Sequence, residues 1–372
     1  MIDSQAADAD RRLDRSIVGL VGTGVMGAGI AQVALEAGHE VVIHDVDEAA
    51  LARGRDRIAD GLARRAARAV ADPTGIDDWV GARMARLRES DVLDQLGDEA
   101  DVVIEAALES LELKETIFRA LGAVAPPATI LATNTSALSI ASIAAAARHP
   151  ERVLGLHFFN PAPLMALVEV VAGPATDPRV ATAGADLMTA WGKTPVRSAD
   201  SPGFIVNRVN RPFTIEALRM LETGEATVEE IDEAIRAAGF PLGPFELMDL
   251  AGLDVNLAAA RGVWDGLGRP NRLRPSPIQE RLVAAERLGR KSGDGFYRYE
   301  NGRRTSVSDE FGGPPSAAVP EDIRHRILAA IGAEAQRALD ERVASAADID
   351  TALRLGAHHP QGPFERARHV GG

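Results

Sequence analysis

The stretch GLVGTGVMGAGIAQVALEAGHEVVIHD, residues 19–45, decides the fold of this chain. An apolar segment runs into three glycines at GxGxxG spacing, Gly22, Gly24 and Gly27. Apolar residues then recur at helical intervals until the next glycine, and a second apolar run ends at Asp45. A strand, a tight turn, a helix and a second strand in this order predict one βαβ unit.

The glycine spacing within this unit predicts a dinucleotide site. Gly22 permits a tight turn, Gly24 lets the backbone approach a pyrophosphate, and Gly27 lets the helix pack closely on the strand. Asp45 stands where an acid hydrogen-bonds the ribose of NAD and repels the 2′-phosphate of NADP. From these residues alone, FAD and a βαβ unit without any ligand remain alternatives. The residues assigned to the cofactor cradle are Gly22, Thr23, Gly24, Val25, Met26 and Gly27.

Composition narrows the class of protein further. The chain has 372 residues, no cysteine and a formal net charge of −13. The missing cysteines exclude disulfides, thiolate catalysis and cysteine-bound metal, and no metal site is predicted. The negative charge argues against nucleic acid and anionic membranes as partners. No apolar run reaches membrane-spanning length and no signal peptide is visible, so a cytoplasmic location is expected.

Apolar, strand-like runs alternate with helical patterns through the first half of the chain. This alternation predicts an α/β fold with a Rossmann-type, doubly wound parallel sheet over residues 16–198. A disordered lead is expected at 1–15, and an all-helical domain at 199–302. A Pro/Gly/Ser-rich linker is expected at 303–320, followed by a shorter helical segment at 321–372.

An internal repeat links the two helical segments. Residues 217–246 are mirrored by residues 338–365, and both stretches end in PxGPFE after an Ile-Asp pair and a short helix. The order and spacing predict a partial second copy of the helical domain.

One histidine stands out as a candidate for proton transfer. His157 ends the strand-like run RVLGLHFFN, at the edge where ligands gather in such sheets. Glu169 follows in LVEVV, where an acid among valines needs a partner. The two residues predict either a general acid/base pair or a buried structural pair. Ser136 and Asn207 have an ordinary alternative interpretation as helix-capping residues.

Five motifs together resemble the short-chain L-3-hydroxyacyl-CoA dehydrogenase family, which includes the bacterial 3-hydroxybutyryl-CoA enzymes. They are GLHFFNPAPLMALVEVV, ATNTSALSI, SPGFIVNR, GFPLGPFELMDLAGLD and GRKSGDGFYRYENG. The resemblance covers roughly residues 16–302, and the tail resembles the partial second copy of longer relatives. It implies NAD-dependent interconversion of (S)-3-hydroxyacyl-CoA and 3-oxoacyl-CoA in fatty-acid β-oxidation or related acyl-CoA catabolism.

The resemblance also implies roles for single residues. His157 is the base that takes the proton of the 3-hydroxyl, and Glu169 orients it and stabilises its charge. Ser136 and Asn207 hydrogen-bond the oxygens of the substrate, and Asn207 does so from the helical domain.

Four further residues match cofactor-contacting positions of the family. The nicotinamide and ribose end is expected to lie near Glu109, Lys114 and Asn134, and Lys291 matches another contact. One departure concerns CoA: the family has a serine and a lysine where this chain has Gly61 and Arg68.

Three arginines, which we call the arginine stripe, follow Gly61 in the sequence. Arg64, Arg65 and Arg68 recur at helical spacing, so they predict either a site for the CoA phosphates or a solvated helix face.

Three functions are compatible with these residues. The first is the NAD-dependent 3-hydroxyacyl-CoA dehydrogenase just described, expected to be a homodimer through its helical domain. The second is an NAD-dependent dehydrogenase of a free hydroxy acid or sugar acid on the same scaffold, which the Gly61 departure favours. The third is a non-enzymatic protein that kept the fold, as the lens crystallins related to this family did. Such proteins tend to lose catalytic residues, whereas the four catalytic candidates are all present here.

Overall fold

The computed structural model describes residues 16–69, 73–314, 316 and 319–370. The chain divides into two compact units, one ending at Asp200 and the other beginning at Ser201. The lead expected at 1–15 lies outside the described residues.

The first unit is built on one eight-stranded sheet in the order β3-β2-β1-β4-β5-β6-β7-β8. The order reverses between β1 and β4, which is the switch point where doubly wound sheets bind ligands. The strands are β1 (Ile17–Val21), β2 (Glu40–His44), β3 (Leu87–Glu89), β4 (Val102–Glu105), β5 (Ile130–Thr133), β6 (Val153–Phe158), β7 (Leu167–Ala172) and β8 (Thr194–Ala199).

Seven helices accompany this sheet in the described residues. They are α1 (Val25–Ala37), α2 (Glu48–Ala69), α3 (Ile76–Met84), α4 (Leu93–Glu99), α5 (Leu111–Val124), α6 (Ile140–Ala146) and α7 (Pro178–Ala190). The predicted βαβ unit is therefore β1-α1-β2, and α1 ends at Gly38 in a left-handed conformation that glycine adopts readily. Buried side chains of α1 and the strands, such as Ile30, Leu20 and Ile104, form the core.

Three features of the sheet differ from the sequence prediction. The short strand β3 was not expected after the helix-rich segment that follows β2, and β8 adds a further strand at the edge beside β7. The predicted sheet is parallel throughout, but β6 and β7 pair antiparallel. The connection between them has no crossover helix, which a parallel pair requires.

The second unit consists mainly of helices. Its first part contains α8 (Val206–Val209), α9 (Arg211–Glu222), α10 (Val228–Ala237), α11 (Pro244–Ala251), α12 (Leu253–Gly266) and α13 (Pro277–Ala284). The tail contains α14 (Pro320–Asp340), α15 (Ala346–Gly356) and α16 (Pro363–Val370).

A β-hairpin interrupts the expected all-helical pattern. Strands β9 (Tyr297–Glu300) and β10 (Arg303–Val307) pair antiparallel, so the first residues of the predicted linker belong to a strand. Two buried carboxylates hold the hairpin: Asp249 accepts the Tyr297 backbone N–H at 2.9 Å, and Asp232 accepts the Tyr297 hydroxyl at 2.8 Å. Burial raises the pKa of Asp232 to about 7 and that of Asp249 to about 6.

The repeat is visible at the level of single hydrogen bonds. Asp232 accepts the backbone N–H of Phe245 at 2.9 Å, and Asp350 accepts that of Phe364 at 2.8 Å. Each aspartate thereby ties a helix of its copy to the start of the next, at the GPFE segment that both copies share.

The two copies also bind each other through reciprocal ion pairs. Arg208 Nε of the first copy lies 3.0 Å from Glu334 Oε1 of the second. Arg326 Nε of the second copy lies 3.0 Å from Glu216 Oε2 of the first. This exchange of equivalent partners is the pattern of an isologous two-fold interface, formed here within one chain.

Candidate active site

The glycine cradle begins where β1 ends. Gly22 has φ +93°, and a Cβ there would lie 2.8 Å from the backbone of Ala106. A Cβ on Gly27 would lie 1.8 Å from the carbonyl oxygen of Gly22, so the helix packs too closely for any side chain. A Cβ on Gly24 would meet nothing within 4 Å. The open space therefore lies at the glycine assigned to the pyrophosphate, and the cradle fits a dinucleotide.

Asp45, the residue predicted to bind the ribose, fixes the cradle through hydrogen bonds. Its Oδ2 accepts hydrogen bonds from the backbone N–H and the hydroxyl of Thr23, both at 2.7 Å. Its Oδ1 accepts the backbone N–H of Val46 at 2.8 Å. Burial raises the pKa of Asp45, but these hydrogen bonds outweigh burial and leave the pKa below its ordinary value. The carboxyl is therefore ionised, as repulsion of a 2′-phosphate requires.

The structure brings His157 and Glu169 together. They stand directly opposite each other on the antiparallel strands β6 and β7. His157 Nδ1 lies 2.6 Å from Glu169 Oε2, and both side chains are buried. The Nδ1–H that donates to the carboxylate leaves Nε2 as the ring nitrogen able to accept a proton. The contact suits a general base, whereas the catalytic role itself stays a prediction.

A charge cluster at the end of β4 joins the buried residues Glu105 and Lys114 to the exposed Glu109. Lys114 Nζ lies 2.7 and 2.9 Å from the two carboxylate oxygens of Glu105, and 3.3 Å from Glu109 Oε2. Glu105 also accepts the hydroxyl of Thr133 at 2.6 Å. The sequence analysis missed Glu105, although an acid closing the apolar run VVIE is the same signal that singled out Glu169.

The loop after β5 is tied to this cluster. Glu109 Oε1 accepts the hydroxyl of Thr135 at 2.6 Å and the backbone N–H of Ser136 at 3.0 Å. The capping interpretation of Ser136 is wrong, because Ser139 caps α6 by accepting the backbone N–H of Ser142. Ser136 lies three positions before this cap, so its side chain is outside that role.

Asn134 connects the same loop to the histidine strand. Its Oδ1 accepts the backbone N–H of Phe158 at 2.8 Å, and its own backbone N–H donates to the Glu105 carbonyl oxygen at 2.7 Å. Because Phe158 follows His157 directly, Asn134 links the ends of β4, β5 and β6 at the carboxyl edge of the sheet.

Two predicted site residues belong to the second unit. Asn207 lies half-buried in the short helix α8, between the buried residues Val206 and Arg208. Lys291 is exposed and forms an ion pair with Asp254, with Nζ 2.6 Å from Oδ1.

The arginine stripe lines a cavity of about 410 Å³ in the first unit. The cavity lies between α1, α2 and the loop after β6, which Lys193 braces through the carbonyl oxygens of Ala162 and Met165. Arg57, which was not predicted from the sequence, lines the cavity together with the predicted stripe. Exposed Leu164 and Val25 add an apolar part to the wall. The lining arginines are Arg57, Arg64, Arg65 and Arg68.

Packing in the wall of this cavity accounts for the glycine at position 61. A Cβ on Gly61 would lie 2.1 Å from Oε1 of Gln32, so a serine there would displace the glutamine. Gln32 in turn donates to Glu36 at 2.8 Å, and Glu36 lies 3.3 Å from Arg65 Nε. Gly61 therefore accommodates a buried Gln32 in the wall of the cavity, a packing partner that the sequence alone does not indicate.

The described residues contain neither a metal-binding cluster nor a membrane-spanning helix. No group of three or more His, Asp or Glu side chains there is arranged to hold a metal ion. No helix among them is long and apolar enough to cross a membrane.

A Rossmann sheet with a GxGxxG cradle, an aspartate directly after β2 and a buried His–Glu pair is typical of the class of NAD-dependent dehydrogenases. The family model of the 3-hydroxyacyl-CoA dehydrogenase NAD-binding domain matches residues 17–201. The model of the C-terminal domain of the same family matches residues 203–299 and 323–372. The chain belongs to the 3-hydroxyacyl-CoA dehydrogenase family, and the family resemblance, the fold class and NAD as cofactor are confirmed.

Relatives of known name agree with this assignment. The chain is 38% identical to a 3-hydroxyadipyl-CoA dehydrogenase of Escherichia coli K12, over 95% of this chain and 90% of the relative. It is 41% identical to the mitochondrial hydroxyacyl-coenzyme A dehydrogenase of Sus scrofa, over 80% of this chain and 95% of the relative. A crystal structure of 3-hydroxybutyryl-CoA dehydrogenase from Escherichia coli K12 superposes with a TM-score of 0.86 at 37% identity, covering 96% of this chain and 92% of that one.

Proposed function

We propose that this enzyme oxidises the 3-hydroxyl of (S)-3-hydroxyacyl-CoA to a ketone with NAD, and catalyses the reverse reaction. The observation that carries the proposal is the buried contact of 2.6 Å between His157 and Glu169 at the ligand-binding edge of the NAD-binding sheet. NAD in the cradle supplies the acceptor for the hydride that leaves C3.

The protein handles the proton of this reaction. His157 Nε2 takes the proton from the 3-hydroxyl, because Nδ1–H donates to Glu169 and fixes that tautomer. Glu169 balances the positive charge that the imidazole gains. Ser136 and Asn207 hydrogen-bond the oxygens of the substrate, in line with the family resemblance.

The cofactor end of the site is assigned to the cluster around Glu105. Lys114 and Glu109 hold the nicotinamide and its ribose, while Asn134 orients the loop that follows β5. Lys291 is assigned a cofactor contact on the family resemblance alone.

The cavity of the first unit is assigned to CoA. CoA carries phosphates next to an apolar and amide-bearing chain, and the cavity offers arginines next to the exposed apolar residues Val25 and Leu164. Guanidinium groups suit phosphate because their donors match its oxygens. Among the relatives, one is named for an adipyl and one for a butyryl thioester, so the length of the acyl chain is left open.

NADH oxidation with a panel of 3-oxoacyl-CoA thioesters tests the function. We expect turnover with acetoacetyl-CoA and at most a trace with free acetoacetate. The free-acid dehydrogenase, the alternative from the sequence, predicts the opposite order. Turnover of neither compound, with NADH still bound, would favour a non-enzymatic role.

The state of association is a separate proposal. A homodimer through the helical domain is one interpretation, and capping of the same surface by the tail within one chain is the other. The reciprocal pairs of Arg208 with Glu334 and of Arg326 with Glu216 support the second, because the two-fold surface is already occupied. A homodimer of this chain would therefore use another surface. The cytoplasmic location expected from the sequence stays a prediction.

A further inference from the structure

Two buried arginines on neighbouring helical turns of the second unit differ in their partners. Arg208 is fully buried and is neutralised by Glu334 at 3.0 Å and by Glu341 at 2.6 Å. Arg211 is 5% exposed, and within the part of the chain that the structure describes its side chain forms one hydrogen bond, from Nε to the carbonyl oxygen of Asn207 at 3.3 Å. Within the described residues, no carboxylate lies within ion-pair distance of Arg211. Burying a cation without an anion is costly, so a missing anion is implied.

The pKa values of the two arginines reflect this difference. Burial lowers the pKa of Arg211 to about 10 with no opposing contribution. Burial also lowers the pKa of Arg208, but Glu341 and Glu334 outweigh it and raise the pKa above its ordinary value. Arg211 nevertheless remains charged near neutral pH, and its charge lies unneutralised inside the fold.

The second copy of the helical repeat provides an internal comparison. It keeps the structural residues, since Arg326 occupies the position of Arg208 and forms the reciprocal ion pair. At the positions of Asn207 and Arg211 it has His325 and Ala329 instead. The repeat therefore packs its helix without an arginine at this position, so packing alone does not call for Arg211.

Arg211 shares a helix face with a proposed substrate residue. Asn207, Arg211 and Thr214 follow at intervals of four and three residues, which places them on one face of the α8–α9 segment. Arg211 and Thr214 are buried, and Asn207 is half-buried. Four residues rise about 6 Å along a helix, so a ligand held by Asn207 extends to the guanidinium after a short chain.

We propose that Arg211 determines specificity by binding a carboxylate at the far end of the acyl chain. The substrates would then be CoA thioesters of short 3-hydroxy dicarboxylic acids. This inference rests on the proposed function, because it takes Asn207 to bind the substrate. A guanidinium binds a carboxylate through two parallel hydrogen bonds, and the exposed arginines of the cavity are already assigned to the CoA phosphates.

The test compares two six-carbon thioesters that differ only at the far end. We would measure kcat/KM with NAD for 3-hydroxyadipyl-CoA, which ends in a carboxylate, and for 3-hydroxyhexanoyl-CoA, which ends in a methyl group. The full chain is expected to favour the carboxylate by roughly 10- to 100-fold, as for a charge-assisted hydrogen bond. Arg211→Met should bring the ratio to about one or below, chiefly through KM. Arg211→Lys keeps the charge without the fork and should give an intermediate ratio.

A matched control and a stability measurement separate this role from a structural one. Arg261 is exposed and pairs with Glu280, so Arg261→Met should leave the ratio unchanged. Arg211→Met should keep or raise the melting temperature, because it removes a buried and unpaired charge. A structural Arg211 would instead give a lower melting temperature with an unchanged ratio, which would overturn the inference.

Three other outcomes would also overturn it. Equal kcat/KM for both thioesters in the unmodified enzyme would show that the far carboxylate is not recognised, while the proposed function would stand. An equal loss on both thioesters in Arg211→Met would place the contact on CoA instead. Turnover of neither six-carbon thioester by an enzyme that still reduces acetoacetyl-CoA would overturn this inference, while the proposed function would stand.

Discussion

At the scale of single residues, Asp45 is expected to determine the choice between NADH and NADPH. Its ionised carboxyl should repel a 2′-phosphate, and its hydrogen bonds to Thr23 also shape the glycine turn. We predict a strong preference for NADH over NADPH. Asp45→Ala should raise the KM for NADH by roughly tenfold or more, since hydrogen bonds to a charged group are lost.

Two variants refine this prediction. Asp45→Asn removes the charge but keeps an acceptor for Thr23, so the preference for NADH over NADPH should weaken in this variant as it should in Asp45→Ala. Asp56→Ala, an exposed aspartate on α2, should change neither KM. Equal kcat/KM for NADH and NADPH in the unmodified enzyme would refute the role of Asp45.

The residue scale also shows what a sequence can and cannot predict about a site. His157 and Glu169 were found because each is polar within an apolar strand. Their contact depends on the register of β6 and β7, which the sequence does not specify. Arg211 gave no such signal, because only the structure shows that a charged side chain is buried without a counter-ion.

At the scale of elements, local periodicity predicted β1, α1 and β2 well. The third strand escaped because Leu87 is its one buried residue, so no alternation was visible. The antiparallel direction of β7 escaped for another reason: strand patterns are the same in both directions, and only the connection decides. The hairpin after Phe296 was hidden in polar sequence, where buried carboxylates such as Asp249 hold it in place.

The proposed CoA site leads to a prediction for the arginines of helix α2. Neutralising Arg64, Arg65 and Arg68 together should raise KM for the thioester and leave kcat largely unchanged. Contacts that bind ground state and transition state alike have this effect. Steady-state kinetics with acetoacetyl-CoA measures it, and a pantetheine thioester without those phosphates should be barely affected.

The control for this variant lies on the same helix. Arg53 is exposed on α2 but does not line the cavity, so Arg53→Gln should leave both substrates unaffected. Equal losses on the CoA and pantetheine thioesters would indicate damaged folding rather than lost phosphate contacts.

At the scale of the whole molecule, the tail is expected to replace a partner subunit. Deleting residues 315–372 removes Glu334 and Arg326 and uncovers the face of α9 that packs against α14. The truncated chain should then lose melting temperature or associate through the uncovered face, without losing the chemistry of the first unit. Light scattering and thermal unfolding of both chains measure this, and unchanged mass with unchanged melting would contradict it.

The most direct test of the proposed mechanism is the rate at which His157→Gln reduces acetoacetyl-CoA at saturating NADH. Loss of a general base should lower kcat by roughly 10²- to 10⁴-fold. NADH binding should persist, because the cradle from Gly22 to Gly27 is untouched. Glu169→Gln should also lower kcat, and the double variant should be little worse than His157→Gln, since the pair acts as one unit. His149, exposed and paired with Glu151, provides the control His149→Gln, which should keep full activity. A near-normal kcat in His157→Gln would contradict the assignment of the base.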